Sequence, residues 1–132
     1  MPPFDPNPFL PLREPTFFIL LSLIPSDKHG YSILKEVEGL SQGKIRLSTG
    51  TLYEALARLL EQGLVERVEG VGEVAQPGEG ETGLHPGKPR KHYRLTAHGA
   101  GVIAAETERL RALVAAAQRQ MEGNHAAHAA LF

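Results

Sequence analysis

Between residues 48 and 63 the hydrophobic positions repeat with the period of an α-helix. Leu52, Leu56, Leu59 and Leu60 fall at i, i+4, i+7 and i+8, so all four lie on one stripe of a helix. The positions between them are mostly polar. The pattern predicts an amphipathic helix with its leucine stripe buried against a core.

The two ends of this helix are marked by different residue types. Ser48, Thr49 and Thr51 offer oxygens to the free amides of a first turn, which places the start within 48–51, and Gly63 supplies the stop. Hydroxyl groups at the leading end, followed by Arg58, are typical of a helix whose amino terminus faces phosphates and base edges.

The same reading of periodicity and turn residues predicts the rest of the chain. The predicted helices are 15–25, 31–41 and a long one from about 97 to 121, and the predicted strands are 44–48, 64–69 and 92–95. Proline-rich residues 1–14 are expected to form a disordered or extended arm, and residues 123–132 a flexible tail.

The long helix carries an apolar stripe that a domain of this size cannot cover alone, because about 35 Å of helix needs a second surface. The first helix is apolar nearly all the way round, which also predicts an external partner. The residues expected at a contact between two copies of the chain are Phe17, Phe18, Leu21, Ile103, Leu110, Leu113, Val114, Ala117 and Met121.

Composition narrows the class of protein. The 132 residues suit one domain, and the lack of cysteine fits a reducing cytoplasm. The longest apolar run, residues 17–24, is too short for a membrane span, and we expect neither a signal peptide nor a membrane partner. A net charge of −1 means that any affinity for nucleic acid must depend on local charge segregation.

Such segregation occurs at residues 88–94, which hold four Lys and Arg side chains and no acid. The preceding stretch is rich in glycine and carries acidic residues, which predicts a surface loop over about 70–88. The basic cluster is expected to contact phosphate, and a solvated strand edge is the alternative.

The sequence offers little support for a catalytic or a metal-binding site. His125 and His128 have metal-ligand spacing but no accompanying carboxylate, and Ser26, Asp27 and His29 share one turn, where a nucleophile, base and oxyanion site cannot be arranged. We therefore expect no enzyme, no cofactor and no metal.

Three blocks, "HGYSILKEVE", "LSTGTLYEALARLLEQGLVE" and "KPRKHYRLTAHG", closely resemble the signature blocks of PadR-like transcriptional regulators in order and spacing. The resemblance implies a mainly α fold with a small β-sheet: a winged helix-turn-helix over 15–96, followed by a dimerisation helix over 97–122. It further implies a cytoplasmic homodimer that binds a roughly palindromic operator and usually represses.

Carried over position by position, the resemblance makes 49–62 the recognition helix. The residues assigned to DNA contact, with Arg58 added from its place on the polar face, are Tyr31, Ser48, Thr49, Thr51, Tyr53, Arg58, Lys88, Arg90 and Lys91. The chain departs from the family pattern in its long acidic wing loop and in Glu54, which replaces the usual proline after the tyrosine.

Alternatives stay open at this stage. The hydroxyls could serve only as caps, Tyr53 could pack on the third strand, and Arg58 could pair with Glu54 or Glu61. At the level of function, the alternatives are a winged-helix module that binds another protein, and a regulator released from DNA by a small, unidentified effector at the dimer interface.

Overall fold

A computed structural model describes residues 3–69 and 91–130, the last six of these as backbone only. The helices are α1 (Glu14–Ser22), α2 (Gly30–Leu40), α3 (Thr49–Glu61) and α4 (Ala97–Ala130). The strands are β1 (Lys28–His29), β2 (Val65–Glu69) and β3 (Lys91–Leu95). The mainly helical fold with a small sheet, predicted from the sequence, is confirmed.

The sheet is antiparallel with the order β1-β3-β2. Val65 pairs with Leu95 and Glu69 with Lys91, so β2 and β3 are the two strands of a wing. On the other side of β3, Lys28 pairs with Tyr93 and His29 with His92. β3 is therefore the central strand, and it pairs with β2 on one side and with the residues immediately before α2 on the other.

The first of the three strands was predicted in the wrong place. Residues 44–48 form no strand; instead, the amide of Ile45 donates a hydrogen bond to the Ser41 hydroxyl at 2.9 Å. This segment is a connection that follows a turn in which Gln42 and Gly43 have positive φ. The strand found at this edge of the sheet is β1 instead.

One core unites α1, α2, α3, the sheet and the start of α4. Its fully buried members include Leu20, Ile33, Leu56 and Val102, one from each helix. α1 ends at Ser22, three residues before the predicted end, because Leu23 and Ile24 bond to carbonyls three residues back and Pro25 follows.

The amino-terminal arm, residues 3–13, is not a free extension as the prolines predicted. The Phe4 ring stacks on His98 with centroids 4.0 Å apart, and the Leu12 amide donates to Glu106 Oε2 at 2.8 Å. Phe9 and Leu12 pack against the core. The apolar residues between the prolines are partly buried against the core, and these contacts hold the arm on α4.

Glu106 is the buried anchor of this contact, with 2% of its surface exposed. Arg109 donates to its carboxylate, with 3.1 Å between Nη2 and Oε2. The hydrogen bond from Arg109 lowers the pKa of Glu106 below its usual range, although burial acts in the opposite direction. The carboxylate is therefore held in the charged form that accepts the arm.

α4 is longer than predicted. It contains 34 residues, a length of about 51 Å at 1.5 Å per residue. It continues through Ala130, where a flexible tail was expected from residue 123. Four alanines among residues 126–130 supply the helix propensity that outweighs Gly123.

Candidate nucleic-acid interface

The amino-terminal end of α3 is polar and exposed. Ser48 caps the helix, since its hydroxyl accepts from the Thr51 amide at 3.1 Å and donates to Thr51 Oγ1 at 2.9 Å. Leu52, Leu56 and Leu59 are buried beneath. The Ser48 hydroxyl is occupied by its role as the cap. The side chains of Thr49 and Thr51 remain exposed to solvent.

Tyr53 lies across the first residue of α2. A Cβ atom added at Gly30 would lie 2.5 Å from the Tyr53 hydroxyl oxygen and 3.0 Å from Cζ, so only glycine leaves room for the ring. Tyr53 is nevertheless 46% exposed. The tyrosine thus packs against α2 through its tip while one side stays open to solvent.

Tyr53 also approaches the wing. The pKa of the Tyr93 hydroxyl is raised, first by burial and then by the neighbouring Tyr53 hydroxyl, while Arg67 on β2 acts in the opposite direction. Tyr93 is 3% exposed and belongs to the core. The packing alternative for Tyr53 therefore has a structural basis in its close approach to Gly30 on α2.

The head of α2 carries a second exposed tyrosine. Tyr31 is 43% exposed, and the Lys35 Nζ lies 5.3 Å from its ring centroid, within range of a cation–π interaction. His29 caps this helix by accepting from the Ser32 amide, and its ring stacks on Tyr31 at 6.5 Å. Sequence reasoning missed Lys35, although its i+4 spacing from Tyr31 was the available signal.

The basic cluster is described only in part. Lys88 and Arg90 lie outside the described residues, whereas Lys91 begins β3 and is exposed. Arg94 is not available for phosphate, because it forms ion pairs with Asp27 at 3.1 Å and with Glu66 at 3.4 Å. The bond to Asp27 is the main reason that the pKa of Arg94 is raised.

Arg58 does not form the ion pairs that its helical spacing allows. In the described part of the chain it has no ion pair with Glu54 or Glu61, nor with any other acid. It faces the amino-terminal arm, where it lines a groove together with Arg13. Its position beside the arm was not predictable from the helix alone.

The residues predicted for self-association fall into three groups. Ile103 is 5% exposed and packs inside its own chain, so its assignment to a contact between copies is wrong. Phe17, Phe18 and Leu21 are half-buried against the same core. The remaining five lie exposed on α4 between residues 110 and 121, which we call its outer half, namely Leu110, Leu113, Val114, Ala117 and Met121.

Metal-binding and membrane-spanning features do not occur in the described part of the chain. Within residues 3–69 and 91–124, no three histidine or acidic side chains are grouped so that they could hold a metal ion. His125 and His128 lie outside the described side chains. No described helix combines the length and apolar character needed to cross a bilayer.

Comparisons with known proteins agree with this architecture. A family model described as the transcriptional regulator PadR-like family matches residues 19–105. A solved transcriptional regulator from Clostridium thermocellum is 26% identical, with a TM-score of 0.59 over 80% of this chain and 87% of that one. A search of curated proteins found no significant match.

Two further solved structures share the fold. A PadR family transcription regulator from Clostridium difficile is 22% identical and has a TM-score of 0.61, covering 83% of this chain and 99% of that one. Bacillus subtilis PadR, solved in complex with operator DNA, is 17% identical, with a TM-score of 0.53 over 70% of this chain and 46% of that one.

The family match spans well over half of the chain and includes α2, α3, both wing strands and the start of α4. The chain belongs to the PadR-like family of transcriptional regulators.

Proposed function

We propose that this protein is a sequence-specific DNA-binding repressor that acts in the cytoplasm as a homodimer. In this proposal, α3 enters the major groove by its amino-terminal end, and the basic start of β3 contacts the DNA backbone. Repression follows because a dimer bound to its operator occupies DNA that transcription requires. The related Bacillus subtilis PadR has been solved in complex with operator DNA, which supports DNA as the partner.

The observation that carries the proposal is the exposed polar end of α3. Thr49, Thr51 and Tyr53 stay open to solvent while the leucine stripe of the same helix is buried. Hydroxyl groups at a helix amino terminus donate to phosphate oxygens and reach base edges. This end of the helix is therefore free to read DNA.

Exposed cations also lie on α2 and on β3. Lys35 on α2 and Lys91 on β3 are exposed, and in residues 3–69 and 91–124 neither forms an ion pair with an acid. Both are available to phosphates on either side of a groove. Lys35, Lys91 and the α3 hydroxyls together form the proposed DNA face.

The homodimer is supported by the outer half of α4. Leu110 and Ala117 lie seven and fourteen residues after the buried Ile103, and Leu113 lies seven after the buried Glu106. Residues seven apart lie on nearly the same helix face, so the stripe that fills the core continues into solvent. An identical stripe from a second copy would cover it.

The salt dependence of operator binding tests the proposal. If six or more phosphates are contacted, affinity should fall by about a thousandfold or more between 50 and 200 mM salt. Lys91→Ala should reduce the slope of log affinity against log salt by about 0.9 and weaken all sequences alike.

Arg119→Ala is the matched control, because it removes an exposed cation from the side of α4 opposite the apolar stripe and should leave the slope unchanged. A flat salt response of the unmodified protein on its own promoter fragment would overturn the proposal. Equal slopes for Lys91→Ala and the unmodified protein would remove Lys91 from the DNA face.

A further inference from the structure

One acidic residue lies at the centre of the face of α3 that points away from the core. Glu54 is two positions after the buried Leu52 and two before the buried Leu56, which places it about 200° around the helix from each of them. Its side chain is exposed. The helix therefore directs Glu54 outwards, opposite the leucine stripe.

The Glu54 carboxylate has no partner inside its own chain. In the described part of the protein it forms neither an ion pair nor a hydrogen bond. Arg58 has the i+4 spacing that would allow a pair, but it lines the groove beside the arm instead. The charge of Glu54 is therefore available to a group outside the chain.

The helix surface beside Glu54 carries only small residues. Gly50 is four residues before Glu54 and Ala57 is three residues after it, so both are its neighbours on the same face. A Cβ atom added at Gly50 would meet nothing within 4 Å among the described residues, and Ala57 is exposed. The edge of a base pair can therefore approach the helix closely at this point.

Stabilisation of the helix does not account for Glu54. A carboxylate stabilises a helix through the dipole only within the first turn, which contains no acid in α3, and Glu54 is the sixth residue. On a surface that approaches DNA, a carboxylate without a donor is repelled by the phosphates and lowers affinity. A donor on the DNA would offset this cost.

We infer that Glu54 determines sequence specificity by accepting a hydrogen bond from the N4 amino group of a cytosine in the major groove. This inference rests on the proposed DNA-binding function, in which the amino-terminal end of α3 enters that groove. Guanine and thymine present acceptors at the major-groove edge, which repel a carboxylate. Adenine has an amino donor, but its acceptor N7 lies beside it. Cytosine presents its amino donor without an adjacent acceptor on the same base.

This role differs from that of the hydroxyls of Thr49 and Thr51. A hydroxyl both donates and accepts, so it can pair with several bases and with phosphate. A carboxylate only accepts, and it is therefore repelled by every acceptor that faces it. One Glu54 in each subunit predicts one cytosine at a fixed position in each half of the operator.

Selection of bound sequences from a pool of random DNA duplexes tests the inference. The unmodified protein should select cytosine at one position of each half-site. Glu54→Ala should reduce this preference about tenfold, the worth of one charge-assisted hydrogen bond, while the preferences at other positions remain. Glu54→Gln should shift the preferred base towards adenine, because glutamine pairs with the N6 and N7 of adenine.

Glu61→Ala is the matched control. Glu61 lies seven residues after Glu54 on the same exposed face, so this variant removes the same charge about 10 Å further along the helix. The Glu61→Ala protein should keep the cytosine preference. Both alanine variants should have the Tm of the unmodified protein, because both glutamates are exposed and alanine favours a helix.

A modified base tests the contact at the amino group itself. The base 2-pyrimidinone is cytosine without its N4 amino group. Its substitution for the selected cytosine should weaken binding of the unmodified and Glu61→Ala proteins about tenfold more than binding of the Glu54→Ala protein. Equal weakening for all three proteins would overturn the inference.

Two other results would also overturn it. In the first, the Glu54→Ala protein selects the same bases as the unmodified protein at every position. In the second, Glu54→Ala raises affinity for all sequences alike, which would show that the carboxylate acts only by repulsion. Both results leave the proposed function intact, because the unmodified protein still selects a sequence. If it selected none, the proposed function would be overturned together with the inference.

Discussion

The amino-terminal end of α3 and the outer half of α4 are both exposed, but they are built from opposite classes of residue. The end of α3 presents Thr49, Thr51 and Tyr53, whereas α4 presents Leu113 and Val114 with 55% and 54% of their surfaces exposed. An exposed threonine costs little in water. An exposed leucine stripe is a surface that lacks its partner.

The two regions also differ in how they are attached to the core. α3 buries its own leucine stripe along its length, so its polar end is held rigidly by the helix itself. The outer half of α4 extends beyond the body of the domain, and its apolar residues pack on none of the described core. The first region is complete in one chain, and the second is the surface that the proposed dimer would cover.

The largest expected effect comes from a charge placed in the α4 stripe. Leu113→Glu should give a folded monomer, because Leu113 makes no contribution to the core of its own chain. Loss of the second copy should weaken operator binding by about 100-fold or more, the usual range for losing a linked site. Analytical ultracentrifugation and operator titration measure both changes.

Ala112→Glu is its control, since it adds the same charge to an exposed position on another face of the helix. It should remain a dimer with unchanged affinity. A dimeric Leu113→Glu protein would show that the copies associate through some other surface.

An intermediate effect is expected at the contact between α2 and Tyr53. Gly30→Ala places a Cβ atom against the Tyr53 hydroxyl and must displace the ring, which is free to move because it is half exposed. We expect discrimination between operator and mismatched DNA to fall roughly five- to tenfold, the worth of about one hydrogen bond. Competition binding with the two DNA sequences measures this ratio.

The double variant Gly30→Ala with Tyr53→Phe provides the control for that prediction. Removing the hydroxyl removes the atom nearest to the new Cβ, so Gly30→Ala should add little once Tyr53→Phe is present. Fully additive losses in competition binding would mean that Gly30 acts on something other than Tyr53.

The smallest expected effect concerns the cap of α3. Ser48→Ala removes the oxygen that accepts from the Thr51 amide and should lower the free energy of unfolding by about 1 kcal/mol. This corresponds to a decrease of roughly 4–8 °C in Tm for a small domain. Thermal unfolding followed by circular dichroism measures it.

Thr49→Ala removes the neighbouring hydroxyl, which makes no hydrogen bond within the described ranges, so its Tm should equal that of the unmodified protein. If both variants lost the same stability, the hydroxyls would share the capping role. The amino-terminal end of α3 would then stabilise the helix in addition to its proposed contact with DNA.

The elements that the sequence predicted well are those with a long periodic pattern. The stripe Leu52, Leu56 and Leu59 marked α3, which was expected to begin within 48–51 and to stop at Gly63. Such patterns record burial along a single segment. They suffice for the helices, including α3, whereas the family was indicated by the three sequence blocks.

What the sequence did not show depends on partners far apart in the chain. β1 has two residues, too few for any alternation, and is a strand only because β3 pairs with it. Leu12 and Glu106 are 94 positions apart, and Arg94 is 67 positions from Asp27. Periodicity carries no information on such contacts, so the attached arm, the neutralised Arg94 and the groove appeared only in three dimensions.

The junction between β3 and α4 consists of Thr96 alone. Its hydroxyl donates to the Gly63 carbonyl at 2.7 Å, its amide donates to the Leu64 carbonyl at 3.1 Å, and Gly99 packs so closely on Leu64 that any side chain there would collide with it. The root of α4 is thereby fastened to the turn that ends α3. In the proposed dimer, a change in the angle between the two α4 helices would therefore also move the two α3 helices, so this contact, remote from the DNA, would set the spacing between operator half-sites.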